Sequence, residues 1–459
     1  MAAPPGPAPA RRLASADVAV FVLGIVVGVG IFRAPAEVAA HTSSDALFVG
    51  LWALGGLAAL AGALTYAELA ARHPGVGGEY GFLRRAWGEG TGLLFVWART
   101  AVIQTGAIAA VAFVAGDHAA RLAPGLHPAA AAGLAVLAFT LLNLAGLGAA
   151  RRAQWVLILL VVSALLALIL AGWTAGGPSR AGDGASPASA LAPGTANLGL
   201  ALVFVMLTYG GWNEAAYLSG ETRGGPRAFV VGLVGGLVLT ALLYLGAALA
   251  FLAVLGRAGL AATGTPAAEV ARAALGPAGD VAVTLAILVA ALSTLNITIL
   301  TGARAMCALG QAHPALAFLG RWEARRSVPG PALLLQGAVA LLLVLYGASA
   351  PDGFAAMVAF GAPVFWAFML LTVLALFRFR AREPHHPGFR VPAWPAVPLA
   401  FAAVSAWMLW SSLGYAHHLA TAGPEATLAG WLGLALAAAG LPLLRLAGRA
   451  AAPRPQGDR

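Results

Sequence analysis

Twelve apolar runs, each long enough to cross a hydrocarbon core of about 30 Å, divide this chain. They fall near 17–40, 46–71, 90–117, 128–147, 154–175, 198–219, 228–256, 279–312, 329–349, 354–377, 394–415 and 425–444, with Pro/Gly/Arg-rich stretches between them. The pattern predicts an all-α polytopic membrane protein with 12 transmembrane helices. Composition agrees: 60% of the residues are hydrophobic and 10% are charged, too few charges to coat a soluble protein of 459 residues. The single cysteine, Cys307, excludes a disulfide-built secreted scaffold and reads as inert core.

The formal net charge is +10, and all 27 basic residues are arginine. Nucleic acid is excluded as a partner, because the arginines sit in short segments between apolar runs, where they act as topology signals. With the N-terminus inside, 20 arginines fall in inside segments, while only Arg121, Arg180, Arg257 and Arg272 fall outside. Both termini are therefore expected in the cytoplasm, and the chain in a bacterial-type cytoplasmic membrane. Residues 1–16, rich in Pro and Ala, predict a disordered cytoplasmic tail with no cleavable signal after it. Residues 447–459 predict a second cytoplasmic tail.

Two runs carry interruptions. Gly28 and Gly30 bracket Val29 in the first, and Gly210-Gly211 lie in the sixth. Such glycines weaken a helix, and in lipid the freed peptide groups need a cavity or ligand to receive them; close helix packing is the plain alternative. Gly30 and Gly211 are 181 residues apart, about half the extent of the first ten runs. The interruptions thus occupy matching places in two halves of five spans, which must be oppositely oriented. Matched breaks in inverted halves point to a transporter binding site. Helix N-terminal ends suit a carboxylate and exposed carbonyls suit an ammonium, and an amino acid carries both. The expected organisation is a first inverted repeat at 17–175, an extracytoplasmic loop at 176–197, a second repeat at 198–380 and two further spans within 381–446.

Val27-Gly28-Val29-Gly30-Ile31-Phe32 resembles the first-helix motif of the amino acid–polyamine–organocation (APC) superfamily. Tyr66-Ala67-Glu68-Leu69, Pro74 and Gly77-Gly78-Glu79-Tyr80 resemble its second helix and the loop that follows. Tyr209-Gly210-Gly211-Trp212-Asn213 is similar to the sixth helix of the L-type amino acid transporter branch. Ser293-Thr294-Leu295-Asn296 with Thr301-Gly302-Ala303-Arg304 resembles the eighth helix, and Pro387–Pro392 the segment before the eleventh. The resemblance covers roughly residues 15–415. It implies a LeuT-type 5+5 inverted repeat and alternating access, helices one, two, six and seven rocking against three, four, eight and nine.

It also implies the site. The substrate would lie against Val27, Gly28, Val29, Gly30, Ile31 and Phe32, and against Leu207, Tyr209, Gly210, Gly211, Trp212 and Asn213. Val29 stands where many relatives carry a serine, so backbone amides replace a hydroxyl. Leu207 stands where several relatives carry an aromatic gate, leaving Trp212 or Phe32 for that work. Trp212 either caps the substrate or packs; Asn213 either bonds the substrate or braces the break. The fifth-helix lysine of some prokaryotic relatives is expected to correspond to a position near Val161. Residues 118–127 hold no cysteine, so no disulfide-linked heavy subunit is expected.

The coupling or gating candidates are Glu68, Arg99, Glu214, Ser293, Thr294 and Arg304. Arg99 lies within the third run and needs a partner, for which Glu68 and Glu214 are available. Those two carboxyls are proton-relay candidates or members of structural ion pairs. Ser293 and Thr294 are sodium ligands or ordinary membrane-helix hydroxyls. Arg304 is a cytoplasmic gate or a lipid-facing anchor, and Arg33 snorkels outward or pairs with a carboxylate. Enzyme motifs, metal clusters and cofactor fingerprints are absent from the sequence. The function expected is secondary transport of neutral L-amino acids. Cationic amino acids or polyamines are the alternative substrates, and a membrane sensor or enzyme the alternative class.

Overall fold

The computed structural model describes residues 11–75, 77–175, 198–350, 353–421 and 428–442. The expected loop at 176–197, the first ten residues and the 447–459 tail lie outside them. The regular elements among the described residues are helical. They run α1 (Ser15–Val26), α2 (Gly30–Ala40), α3 (Asp45–Arg72), α4 (Gly78–Trp87) and α5 (Glu89–Ala98). A π-helical turn, Arg99–Ile103, leads into α6 (Gln104–Leu122), α7 (Pro128–Leu144), α8 (Leu147–Ala175) and α9 (Leu198–Thr208). A 3-10 helix, Trp212–Glu221, precedes α10 (Gly225–Ala262), α11 (Pro266–Leu275) and α12 (Ala278–Ala312). The chain closes with α13 (Gly330–Gly347), α14 (Gly353–Arg382), α15 (Ala396–Ala420) and α16 (Ala429–Ala438).

Eight helices, counting α5, the π-helical turn and α6 as one, are long and apolar enough to cross a membrane, and α1 with α2 forms a ninth candidate, bent by 52°. The other three apolar runs give shorter helices. The sixth is cut at Gly210-Gly211 into an 11-residue and a 10-residue piece. The fourth gives the 17 residues of α7, and the twelfth gives the 10 residues of α16. Each expected run therefore contains a helix, yet length alone supports fewer crossings than the sequence pattern does.

Segments between the helices bond to one another. Leu147 N donates to Arg326 O (2.9 Å), Arg72 Nη1 to Glu383 O (2.9 Å), and Gly75 N to Ser219 Oγ (3.3 Å). The N-terminal segment is stitched to the end of the 3-10 helix. Leu13 N donates to Glu221 O (3.0 Å), and Arg223 N to Leu13 O (2.7 Å). Asp17 then starts α1 by accepting from Ala14 N (2.9 Å), and fastens it to α8 by accepting from Trp155 Nε1 (2.9 Å) and Arg151 Nη1 (3.4 Å).

Candidate functional site

Two interruptions face each other at the centre of the bundle. In the first, α1 ends when Val27 N reaches back to Leu23 O (2.7 Å), and Gly28 N closes a tight turn on Val26 O (2.7 Å). The helix restarts at Gly30, and of its first amides Phe32 N turns back onto Val29 O (3.3 Å). In the second, α9 stops at Thr208 and Gly211 takes φ 102°, a conformation that favours glycine. A 3-10 helix of 10 residues follows, longer than the short pieces in which that geometry is usual and a common mark of a functional hinge.

The breaks touch. A Cβ placed on Gly30 would lie 2.9 Å from Thr208 Oγ1, and one on Gly211 would lie 3.1 Å from Ile25 Cγ1. Within residues 20–32 only Gly28, Val29 and Gly30 escape full burial, and within 208–219 only Gly210 and Gly211 do. The side chains around them are buried: Val27, Ile31 and Phe32 on one side, Tyr209, Trp212 and Asn213 on the other. What the two breaks leave reachable is chiefly peptide backbone. Leu207 differs from its neighbours, being 45% exposed on α9. Trp212 packs edge-on against Tyr66 (5.2 Å between ring centres) and Phe401 (5.4 Å), close against Gly62 of α3.

Tyr244 of α10, which the sequence did not single out, spans both breaks. Its hydroxyl lies against Val26 O and is 3.3 Å from Thr208 O. Each carbonyl belongs to the last turn of a helix that stops, and Val26 O also accepts from Gly28 N (2.7 Å). Tyr244→Phe removes that bond without removing the ring. The expected loss is about 1 kcal/mol of stability, with transport falling more steeply than the melting temperature; comparison of the two in reconstituted protein checks it.

On the far side of the second break lies a buried polar cluster. Arg99 Nη2 donates to both Glu214 oxygens (2.8 and 2.7 Å), and Nη1 reaches Glu79 Oε2 at 3.4 Å. Glu79 accepts from Tyr66 (2.7 Å), Tyr217 (2.8 Å) and Asn213 Nδ2 (3.2 Å). Glu214 also accepts from Thr301 Oγ1 and from Gln104 Nε2 (3.4 Å). The Arg99 guanidinium sits over the Tyr217 ring, 4.2 Å from its centre. Of the two partners expected for Arg99, Glu214 is present and Glu68 is not; Glu79 takes its place. Glu68 is held elsewhere, by Arg72 Nε (2.9 Å), Arg380 (2.9 and 2.6 Å) and Val391 N (2.7 Å). Those bonds tie α3 to α14 and to the segment before α15.

Arg304 is fully buried and donates through Nε to Glu221 (2.6 Å) and through Nη1 to Leu300 O. It fastens α12 to the end of the 3-10 helix. Arg33 is exposed. Ser293 and Thr294 both donate to Gly24 O (3.2 and 3.3 Å), and Gln154 Nε2 donates to Ser293 Oγ at 2.8 Å. Gln154 is the α8 residue that bonds at this junction, and Val161 lies in the core further along the helix.

The described residues form helices, eight of them long and apolar enough to cross a membrane, as in a multi-pass membrane protein. A family profile described as amino acid permease matches residues 15–440, and the chain belongs to that family. It is similar to the serine/threonine exchanger SteT of Bacillus subtilis, 26% identical over 399 residues, covering 85% of this chain and 89% of that one. It is similar at 26% to the human b(0,+)-type amino acid transporter 1, covering 84% and 80%. An uncharacterized transporter of Mycobacterium tuberculosis is 30% identical over 374 residues, covering 80% of each chain.

Proposed function

We propose that this protein exchanges or takes up small or medium neutral L-amino acids by alternating access, on a LeuT-type 5+5 repeat with two C-terminal spans. In this reading it crosses the cytoplasmic membrane twelve times, with both termini inside. One observation carries it: the accessible residues at the two breaks are Gly28, Val29, Gly30, Gly210 and Gly211, so a ligand there meets peptide groups. Amides at the start of α2 suit a carboxylate. Carbonyls at the ends of α1 and α9 suit an ammonium.

Neutral side chains fit because residues 20–32 and 206–213 hold no acid, and the first one beyond the second break, Glu214, is engaged by Arg99. The relative SteT, described as a serine/threonine exchanger, supports the same choice. The test is a counterflow screen in proteoliposomes over the common amino acids. Serine, threonine, alanine and their neutral neighbours are expected to exchange. A preference for arginine or lysine would overturn the substrate class, and no exchange at all would overturn the function.

Coupling to sodium is not part of this reading. The hydroxyls of Ser293 and Thr294 already donate to Gly24 O, and Gln154 donates to Ser293 Oγ, at the α1–α8–α12 junction. Replacing sodium with choline is expected to leave the initial rate unchanged, and a sodium-dependent rate would refute this.

A further inference from the structure

The geometry points to Glu79 as the seat of an exchangeable proton, bound in the cluster that it forms with Glu214 and Arg99. Two carboxylates share one guanidinium there, and all three residues are at most 7% exposed. The other groups facing the pair are neutral: Tyr66 on α3, Gln104 on α6, Asn213 and Tyr217 on the 3-10 helix, and Thr301 on α12. Neighbouring arginines are engaged elsewhere, Arg84 with Tyr80 and Glu89, and Arg304 with Glu221. An unbalanced buried charge of this kind is expensive, and a carboxyl relieves it by binding a proton.

Distances decide which one. Glu214 takes both bonds of Arg99 Nη2 at 2.7–2.8 Å, whereas Glu79 meets the guanidinium only at 3.4 Å. Glu214 therefore balances Arg99, and Glu79 carries the excess. The hydrogen has a place to go. A phenol hydroxyl donates or accepts, and the Tyr66 hydroxyl has two acceptors in reach, Glu79 Oε1 at 2.7 Å and the Met369 sulfur at 3.0 Å. Turned to the sulfur, it presents its oxygen to a Glu79 O–H without movement of any heavy atom. Asn213, 1% exposed and already on Glu79 through Nδ2, leaves its Oδ1 with no donor. Arg99 Nε likewise has no acceptor. Burial pushes the Glu79 carboxyl up, and Glu214 adds to this against the opposing pull of Arg99.

The step is simple. The carboxylate takes a proton from water-borne acid and becomes a neutral acid, and it returns the proton on release. Its use in transport rests on the proposed function. Glu214 lies three residues past Gly211, about 6 Å along a 3-10 helix, while Glu79 sits on α4. A change at the break shifts Glu214 and Arg99 relative to Glu79 and alters its hold on the proton.

The experiment is infrared titration of purified full-length protein from about pH 5 to about pH 9, following the C=O stretch of protonated carboxyls. The wild type is expected to show a band that fades as pH rises. Glu79→Gln is expected to lack it, Glu37→Gln to retain it, and Glu79→Asp to shift it should the glutamine variant fold poorly. A band that survives Glu79→Gln, or its absence from the wild type throughout, overturns the inference. A parallel arm measures L-serine counterflow in proteoliposomes against pH. Exchange that responds to pH in the wild type and is flat in Glu79→Gln supports coupling. A titrating band in a protein that moves no amino acid would remove the transport reading and leave the proton site standing.

Discussion

Gly211→Leu is expected to abolish uptake while the protein still reaches the membrane, and Gly30→Leu to do the same by a different route. At Gly211 the backbone holds φ 102°, a conformation that costs a residue with a side chain about 1–2 kcal/mol. The new Cβ would also lie 3.1 Å from Ile25 Cγ1 and 3.3 Å from Ile25 O, inside the facing break. At Gly30 the conformation is helical, so the obstacle is space. A Cβ there would lie 2.9–3.2 Å from Thr208 Oγ1, Cγ2 and Cα, and the rest of a leucine would force α2 from α9. Gly210→Ala makes a useful contrast, since its nearest contact is Leu207 O at 3.2 Å and it has no positive φ; its effect is expected to be much smaller. Expression, monodispersity and counterflow measured on the same preparations check the set. Near-normal exchange by either leucine variant would remove the breaks from the binding site.

Arg99→Ala is expected to be the most destabilising single change in the cluster. It leaves Glu79 and Glu214 facing each other with no cation, and stripping one partner from a buried ion pair costs about 3–5 kcal/mol. The guanidinium's stacking on Tyr217 goes with it. Adding Glu79→Gln and Glu214→Gln to Arg99→Ala removes the stranded charge and is expected to recover much of the loss, because the cost lies in the unpaired carboxylates. Thermal unfolding in detergent tests this. Similar melting of Arg99→Ala and wild type would show that water reaches the cluster and screens it.

Both predictions begin from features that a one-dimensional reading can reach unequally. The breaks were legible, since paired glycines in an apolar run have few explanations and their equal spacing in two halves has fewer. An intramembrane arginine announced the need for a partner, and Glu214 was within the sequence logic. Glu79 was not, although it stood in a quoted motif, because it belongs to a short helix outside the apolar runs. Only the tertiary fold carries it back under the 3-10 helix. Tyr244 escaped for a similar reason: an aromatic residue in a hydrophobic run gives no sign that its hydroxyl will reach two carbonyls. The contact of Gln154 with Ser293 was not legible either, since the face a helix presents is set by rotation as well as by count. The π-helical turn at Arg99–Ile103 adds another such rotation just where the arginine must be aimed.

The stitch between Leu13 and the end of the 3-10 helix is a pair of backbone bonds, beside which Arg223 Nη2 donates to Arg12 O (3.3 Å). Ordinary replacement of the side chains at 13 or 223 leaves its hydrogen bonds available, whereas proline at either position deletes a donor. The latch that this creates is therefore inherited through chain path rather than residue identity. Distant kin can keep the same fastening under wholly different letters.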